Sequence, residues 1–201
     1  MPAWLPDAAP DLAKVARLAT GVLGRTEPTG NDHTQLRRVL GQVAAGVTVV
    51  TTFDGLGSPL GLTVSAFCSV SLDPPLVLIC IHQRSTAHAG LCASGLFGVS
   101  VLAEDQEAIS RRFATSGLAR FESLPLQRGR SGVLLIPGAL AHLECRVVST
   151  VLAGDHVIYI GKVLDFANYP GWPLVHQGSR YCKLHREQEG APVPFPTAPD
   201  G

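Results

Sequence analysis

Residues 139–166 read ALAHLECRVVSTVLAGDHVIYIGKVLDF, and this stretch gives the strongest signal for the fold. β-Branched and other apolar residues dominate both of its halves, which favours strands over helices. The two halves meet at Gly154-Asp155, a dipeptide typical of tight hairpin turns. The stretch therefore predicts two long antiparallel strands, Ala139 to Ala153 and His156 to Phe166.

Shorter strand patterns precede this hairpin. Val47 to Thr52 is almost wholly β-branched, the turn Asp54 to Gly57 follows it, and Leu60 to Ala66 is the returning strand. Leu76 to Ile81 is apolar at every position, which predicts a strand buried on both faces, and Phe97 to Leu102 is a further strand. Because hairpins follow one another with few helices long enough for parallel crossovers, an antiparallel barrel is favoured over a doubly wound sheet.

Short helical patterns flank the strands. Asp11 to Leu23 and Leu36 to Val43 place apolar residues on one helical face. Thr86 to Ala93 and Glu104 to Ala114 predict two more helices. Ser116 to Gly138 is rich in glycine, arginine and serine, and predicts a long loop or lid.

These patterns divide the chain into three parts. Residues 1–31 are predicted to form an N-terminal helical extension and linker. Residues 32–186 form the barrel domain, which ends with a strand pair at Trp172 to His176 and Ser179 to Leu184. Residues 187–201 are a Pro-rich tail predicted to be disordered.

The composition narrows the class of protein. The chain has 201 residues, 46% of them hydrophobic, which suits one domain with a sizeable core. Its 16 basic and 16 acidic residues cancel, so no net field attracts nucleic acid or an anionic membrane. No apolar run reaches signal-peptide or membrane-spanning length, which predicts a cytoplasmic protein.

The cysteines agree with a reducing compartment. Their number is odd and no two form a Cys-x-x-Cys pair, so we expect buried free thiols and no metal site. The five are Cys68, Cys80, Cys92, Cys145 and Cys182.

The common catalytic motifs are missing from the sequence. There is no Gly-x-Ser-x-Gly, no His-Glu-x-x-His and no Gly-x-Gly-x-x-Gly after a strand. If the protein is an enzyme, a bound cofactor is therefore expected to supply the chemistry.

The segment TVSAFCSVS, residues 63–71, places four hydroxyl residues in nine positions where a strand ends. Hydroxyls and backbone amides clustered at a strand end cradle a phosphate or the polar edge of a planar ring. A Ser/Thr-rich exposed strand and turn explains the same pattern, and composition alone favours it. The candidate binding residues are Thr63, Val64, Ser65, Ala66, Ser69, Val70 and Ser71.

A second cluster, RSTAH at residues 84–88, follows a buried strand and opens a helix. Helix-start amides, two hydroxyls and a guanidinium suit a phosphate. An ordinary helix cap at Ser85 is the equally weighted alternative. The candidates here are Arg84, Ser85, Thr86 and His88.

Two turns supply the remaining candidates. In Gly154-Asp155-His156 the histidine either faces a ligand cavity or is exposed on a hairpin, and the second is favoured for the motif taken alone. Tyr181, in the segment GSRY, either lies at a ligand edge or forms a surface cation–π pair.

Taken in order, these segments resemble the flavin reductase-like family, whose members include small reductase components of two-component flavin monooxygenases. The resemblance covers most of the chain, from about residue 36 to 181. Its motifs are AGVTVVTT at 45–52, GLTVSAFCSVSLDPPLV at 61–77, STAH at 85–88, FGVSVL at 97–102, RF at 112–113, LECRV at 143–147, GDH at 154–156 and IGKV at 160–163.

The resemblance implies a mainly β fold, an antiparallel FMN-binding split β-barrel of Greek-key type with flanking short helices and an added N-terminal helix. It implies FMN or FAD as cofactor and NADH or NADPH as cosubstrate, and the lack of an arginine cluster for a 2′-phosphate favours NADH. It also implies a homodimer that passes reduced flavin to a monooxygenase.

The resemblance also assigns roles to the candidates. Thr63 to Ala66 and Ser69 to Ser71 would lie along the flavin, and Arg84 to Thr86 near its phosphate. His156, the candidate catalytic residue, and Tyr181 would lie on the nicotinamide side.

Two residues depart from the family pattern: Ala66 replaces a common serine, and His142 replaces a common apolar or aromatic residue. The alternative function is a flavin- or heme-binding split barrel without reductase turnover, or a flavoenzyme of biosynthesis.

Overall fold

A computed structural model describes residues 33–115 and 120–185 of the chain. The predicted helix Asp11 to Leu23, the linker after it and the Pro-rich tail lie outside the described residues.

The centre of the fold is a seven-stranded sheet in which every neighbouring pair is antiparallel. Its strands are β2 (Thr48–Phe53), β3 (Pro59–Val64), β4 (Phe67–Leu72), β5 (Pro75–His82), β6 (Leu96–Val101), β9 (Ala141–Ala153) and β10 (His156–Asn168). Their order across the sheet is β3-β2-β6-β9-β10-β5-β4. The hairpin predicted around Gly154-Asp155 is confirmed as β9 and β10.

Two small sheets accompany it. One joins β1 (Ala45–Gly46), β11 (Val175–Gln177) and β12 (Arg180–Cys182), and the other joins β7 (Gln127–Arg128) and β8 (Leu134–Leu135). The last predicted strand pair is therefore present, in shorter form.

The connection between β3 and β4 shows that the large sheet curls. These strands are its two edges, yet only Ser65 and Ala66 separate them in sequence. Seven flat strands at about 4.8 Å spacing would put the edges about 29 Å apart. Two linking residues span only about 11 Å, so the edges must approach each other. The sheet is thus a split barrel, and the predicted fold class is confirmed.

Alternation along β5 places the core on one face of the strand. Val77, Ile79 and Ile81 are buried inside, whereas Leu76 and Leu78 face outward and are half-exposed. The prediction that this strand is buried on both faces is wrong within the described residues. Leu76 and Leu78 face outward because successive side chains of a strand point to opposite faces of the sheet, whatever the composition of the strand.

Helix α1 (His33–Leu40) precedes the strands in the chain. Among the described residues, two short helices accompany the sheet: α2 (Thr86–Ser94) and α3 (Glu107–Ala114). Helix α1 ends three residues before Val43. Ser85 caps α2, and Gly95 ends it in the left-handed conformation, with φ of 64°, which glycine adopts without strain. Helix α3 begins later than predicted, after Gln106.

The described part of the segment predicted as a loop or lid, from residue 120 onward, packs against the barrel. It contains the β7–β8 hairpin, and Val133, Leu135 and Ile136 are buried. Apolar side chains of this kind each stabilise the fold by about 1.5–3 kcal/mol when removed from water. The segment from 127 to 136 therefore covers one side of the hydrophobic core, and we call it the core cover.

The five cysteines are all free, as expected, but only Cys145 is buried. Cys68 and Cys92 are exposed, so the expectation of buried thiols is wrong for them. Their segments are apolar overall, but these positions fall on outward faces. No helix in residues 33–115 and 120–185 has the length and apolar character needed to cross a membrane.

Candidate functional site

A cavity of about 520 Å³ lies between β3, the start of α2 and the end of α3. Arg120 and Phe121, just before the core cover, close its remaining side. Four predicted binding residues line it: Thr63, Arg84, Ser85 and Thr86.

One wall of the cavity is aromatic. Phe113 and Phe121 meet edge to face with ring centroids 5.2 Å apart. They close over Gly61, where a Cβ atom would lie 2.7 Å from Phe113 and 2.9 Å from Phe121. Glycine is therefore needed at position 61 for the rings to pack against β3. Such a wall suits a planar or otherwise apolar ligand surface.

A second part of the cavity wall, at the start of α2, is suited to an anion. Arg84 is exposed beside the first turn of α2, which contains no acidic residue. The Ser85 hydroxyl accepts the Ala87 N–H at 3.3 Å, so the capping role is confirmed. Arg84, Thr86 and the first turn of α2, where the helix dipole is positive, still lie together in the cavity wall.

Arg120 adds a second cation to the wall. Its Nη1 donates to the Gly61 carbonyl, whereas its Nε is buried and has no hydrogen-bond partner among the described residues. A buried donor without an acceptor is costly, and a bound anionic ligand near the guanidinium would offset that cost. The cavity thus combines an apolar wall with two cations, which fits a flavin nucleotide.

The structure brings only part of the segment 63–71 to the cavity. Thr63 lines it and donates from Oγ1 to the Ser110 carbonyl at 2.6 Å, while Val64 points into the core. Ser65 and Ala66 are exposed on the link between the sheet edges.

The rest of this segment lies on the edge strand β4. Ser69 and Val70 are exposed and Ser71 is half-buried. A bulge between Ser69 and Ser71 leaves Val70 outside the ladder with β5. These residues form a rim that leads away from the cavity, and none of them lines it.

His88 and Tyr181 also lie off the cavity wall. His88 Nδ1 meets the hydroxyl of Tyr159, a residue only 1% exposed, and desolvation raises the pKa of that hydroxyl. The Tyr181 hydroxyl lies 2.8 Å from Ser110 Oγ, and the Arg111 guanidinium lies 4.8 Å above its ring. The cation–π pair of Tyr181 thus exists, with Arg111 as the cation.

His156 lies at the start of β10, directly opposite His82 on β5. Its Nδ1 is 2.7 Å from Asp155 Oδ1, and this hydrogen bond holds the pKa of Asp155 below its ordinary value. The Arg84 N–H donates to His82 Nδ1 at 3.0 Å. His156 does not line the cavity. It faces His82, however, and His82 is hydrogen-bonded to the backbone of the cavity residue Arg84.

Sequence reasoning missed Phe113, Arg120, Phe121 and His82 as site residues. The repeated Arg-Phe pairs at 112–113 and 120–121 were the available signal for the wall. No local pattern pairs His82 with His156, because 74 positions of sequence separate them and only strand register brings them together.

A curled antiparallel sheet with an aromatic-walled cavity and a cationic helix start defines a split-barrel cofactor-binding protein. A family model described as "Flavin reductase like domain" matches residues 40–185. The chain belongs to this family.

Two relatives are similar to this chain over most of their own lengths. The FMN reductase (NADH) SmoA of Agrobacterium fabrum is 41% identical over 160 residues, which is 80% of this chain and 91% of that protein. The solved structure of the Streptomyces globisporus NADH:FAD oxidoreductase SgcE6, in complex with NAD and FAD fragments, is 39% identical with a TM-score of 0.75. That match covers 79% of this chain and 96% of the other.

Other relatives differ in their named roles. The reductase subunit HsaB of a flavin-dependent monooxygenase of Rhodococcus jostii is 38% identical, over 82% of this chain and 84% of its own. An actinorhodin polyketide dimerase of Streptomyces coelicolor is 36% identical, over 76% of this chain and 87% of its own.

Proposed function

We propose that this protein is an NAD(P)H:flavin oxidoreductase that transfers hydride from a reduced nicotinamide to FMN or FAD. The observation that supports this most directly is the cavity whose aromatic wall, Phe113 and Phe121, ends at the cationic start of α2. Family membership and the NADH-dependent flavin reductases among the relatives agree with it.

The chain's residues divide the work of binding. Arg84, Ser85 and Thr86 hold the phosphate, and Arg120 adds a second cation. Thr63 borders the ring system inside the cavity. The exposed rim from Ser65 to Ser71 borders the part of the flavin that we propose extends beyond the cavity. The bound flavin supplies the group that accepts the hydride.

Catalysis by this chain consists of positioning and exclusion of water. Both reacting rings are intrinsically reactive, so no general acid or nucleophile from the protein is needed. Holding two rings at attack distance lowers a barrier by up to about 7–11 kcal/mol. The buried Phe113 and its partner Phe121 keep water from one side of the site.

We place the nicotinamide beside His156 and Tyr181, with His156 as the residue that contacts it. The hydrogen bonds that link the turn at Asp155 to the turn at Arg84 support the placement for His156. For Tyr181 the support is its contact with Ser110, whose carbonyl accepts a hydrogen bond from the cavity residue Thr63. NADH is the preferred cosubstrate, since relatives carry NADH in their names and no arginine cluster marks a 2′-phosphate site.

We further propose a cytoplasmic homodimer whose catalytic unit spans residues 32–186. The outward faces of β5 and β10 support the dimer because they carry neighbouring apolar side chains that a second copy could cover. Leu78 pairs with Ile160 there and Cys80 pairs with Ile158, and all four side chains are half-exposed. Analytical sedimentation of the wild type and of Ile160→Asp tests this proposal. We expect the wild type to sediment as a dimer and Ile160→Asp as a monomer, whereas a monomeric wild type would contradict the proposal.

The reduced flavin would then leave for a separate monooxygenase, as the naming of HsaB suggests. A flavoenzyme of biosynthesis that does not serve as a reductase is the second candidate, favoured by the similarity to the polyketide dimerase.

Anaerobic titration with NADH in the presence of FMN or of FAD separates these functions. Bleaching of the flavin absorbance at one equivalent of NADH per flavin, with repeated turnover after air is admitted, is expected for the reductase. Tight flavin binding without bleaching favours the second candidate. Comparing the two flavins in the same experiment shows which one the cavity prefers.

A further inference from the structure

Arg120 is attached to the aromatic wall of the cavity. Its Nη1 donates to the carbonyl of Gly61, the residue of β3 over which Phe113 and Phe121 close. Its Nε is buried, and within the part of the chain that the structure describes it has no hydrogen-bond partner. The guanidinium is therefore held in place by one bond while its charge is only partly compensated.

The cavity itself does not neutralise this charge. Arg84 and Arg120 are the charged residues among the described residues that line it, and both are cations. None of the ion pairs formed within residues 33–115 and 120–185 includes either of them. Because attraction between charges is stronger beside a partly buried group than in bulk water, the cavity favours a ligand with negative charge.

Other arginines of the chain show what is missing here. The Arg111 guanidinium lies 2.7 Å from the Glu107 carboxylate on the same helix, and the Arg130 guanidinium lies 3.4 Å from that of Asp165. Arg120 has a backbone carbonyl in place of a carboxylate. A cation kept near an apolar wall without a counterion costs free energy, which an anionic ligand would offset.

The position of Arg120 associates it with the ring of the ligand. The proposed function assigns the flavin phosphate to Arg84, Ser85 and Thr86, and the ring to the aromatic wall that Arg120 borders. The oxidised ring is neutral. Hydride transfer brings the negative charge of the hydride into the ring, so the negative charge beside Arg120 appears only on reduction.

We propose that Arg120 is a specificity-determining residue for the oxidation state of the flavin, and that its charge makes the site bind the reduced flavin more tightly than it otherwise would. The inference rests on the proposed function, which places the ring in this cavity. A fixed cation where negative charge develops favours the product of hydride transfer and the transition state that leads to it. The reduction potential of the bound flavin should therefore be higher than it would be without Arg120.

Binding of the two oxidation states tests the proposal without turnover. The flavin that the wild type prefers, FMN or FAD, is titrated anaerobically in its oxidised form and in its photoreduced form. Arg120→Gln should weaken binding of the reduced form about tenfold to a hundredfold more than binding of the oxidised form, the effect of losing a hydrogen bond or contact with a charged group. Equal weakening of both forms overturns the proposal.

The midpoint potential of the bound flavin gives a second readout of the same preference. For a two-electron couple, each tenfold change in the ratio of the two dissociation constants lowers the potential of Arg120→Gln by about 30 mV relative to the wild type. Arg120→Lys keeps the charge and should retain most of the wild-type potential. A potential that falls equally in Arg120→Lys and Arg120→Gln would contradict a role for the charge.

Riboflavin separates the ring from the phosphate. It has the same ring and no phosphate, so Arg120→Gln should change its preference between oxidation states by the same factor. An effect confined to the phosphorylated flavin would assign Arg120 to the phosphate and would overturn the proposal.

Arg128→Gln is the matched control. Arg128 also donates from Nη1 to a glycine carbonyl, that of Gly132 at 2.9 Å, but it does not line the cavity. Its replacement should leave the dissociation constants of both oxidation states unchanged. A loss of preference as large as that in Arg120→Gln would make the effect one of net charge and not of the site.

A purely structural role for Arg120 predicts a different result. In the flavin-free protein, Arg120→Gln should unfold at the wild-type midpoint or above it, because glutamine can still donate to the Gly61 carbonyl and the buried Nε without an acceptor is gone. A clear loss of stability together with an unchanged preference would show that Arg120 only supports the fold, and would overturn the proposal.

The outcomes separate this proposal from the proposed function. If the wild type reduces flavin with NADH and Arg120→Gln keeps the wild-type preference, the role of Arg120 is wrong and the reductase function stands. If the wild type binds no flavin in either oxidation state, the proposed function fails, and the role of Arg120 fails with it.

Discussion

Two carboxylates each hold a turn against the barrel, in opposite surroundings. Glu144, on β9, is 5% exposed and accepts the backbone N–H groups of Arg130 at 2.9 Å and Ser131 at 2.6 Å. The Asp155 side chain is 75% exposed and accepts from His156. The buried carboxylate secures the core cover, whereas the exposed one orients a ring that a ligand can reach. Changes at the first should alter stability, and changes around the second should alter binding.

The packing around Glu144 shows how closely the core cover fits. A Cβ atom at Gly129 would lie 2.3 Å from the Glu144 carboxylate, so glycine is needed there. His142, which departs from the family pattern, is 4% exposed, and its Nε2 lies 2.8 Å from the Ile136 carbonyl. This histidine therefore helps to hold the cover, and it does not line the cavity described above.

The largest expected effect is on stability, at Glu144. Glu144→Ala leaves two backbone N–H groups without an acceptor, and should lower the free energy of unfolding by about 2–3 kcal/mol. Urea unfolding measures this, with Glu144→Gln as the control that keeps one acceptor and should lose less. Flavin affinity should change little, and a large loss of affinity in the folded variant would break the distinction between the two regions.

His156→Ala should have the largest effect on activity. Loss of a positioning contact with the nicotinamide is expected to slow flavin reduction on the order of tenfold to a hundredfold. The flavin dissociation constant should change much less, because His156 does not line the cavity. Stopped-flow reduction and flavin titration measure the two quantities, and equal losses in both would contradict a role on the nicotinamide side.

Ser85→Asp tests the phosphate end of the same region. Aspartate caps a helix as well as serine does, so α2 should remain intact, but its charge should repel a bound phosphate. Flavin affinity is expected to fall about tenfold, the effect of roughly 1.4 kcal/mol. Ser85→Asn is the neutral control, and an affinity unchanged in Ser85→Asp would place the phosphate elsewhere.

Acid pH should weaken the cover by a smaller amount. Burial raises the pKa of Glu144, but hydrogen bonds from Ser131 and Arg130, together with the Arg130 charge, outweigh burial and leave the pKa below its ordinary value. The carboxylate therefore stabilises the fold fully above the unfolded pKa of about 4.3 and loses that contribution as the pH falls through the folded value. Unfolding is measured from about pH 6 to about pH 3, a range that brackets this pKa. The free energy of unfolding should decline less steeply with falling pH in Glu144→Gln than in the wild type.

The smallest effect is expected for the stability of Asp155→Asn. The pKa of Asp155 is also lowered, with the His156 hydrogen bond as the main cause, but solvent screens a carboxylate this exposed. Its unfolding midpoint should match that of the wild type within error. A clear drop in the midpoint would mean that the exposed turn also stabilises the fold, and the contrast between Glu144 and Asp155 would then be smaller than we expect.

The strands were predictable because β-branched runs and turn dipeptides act locally. The hairpin at Gly154-Asp155 and the cap at Ser85 needed no distant contact to be recognised. The bounds of α1 and α3 were less predictable, since helical spacing in the sequence continues past the residue where α1 ends and starts before the residue where α3 begins.

The sequence by itself determined an antiparallel, hairpin-built domain, its resemblance to flavin reductases and the helix cap at Ser85. Only the tertiary structure decided that Phe113 and Phe121 close over Gly61, and that His82 and His156 share one carboxylate. Local patterns reflect preferences of the backbone within a few residues. A cavity wall or a pair of facing rings depends instead on strand register and sheet curvature, which arise when the whole core packs.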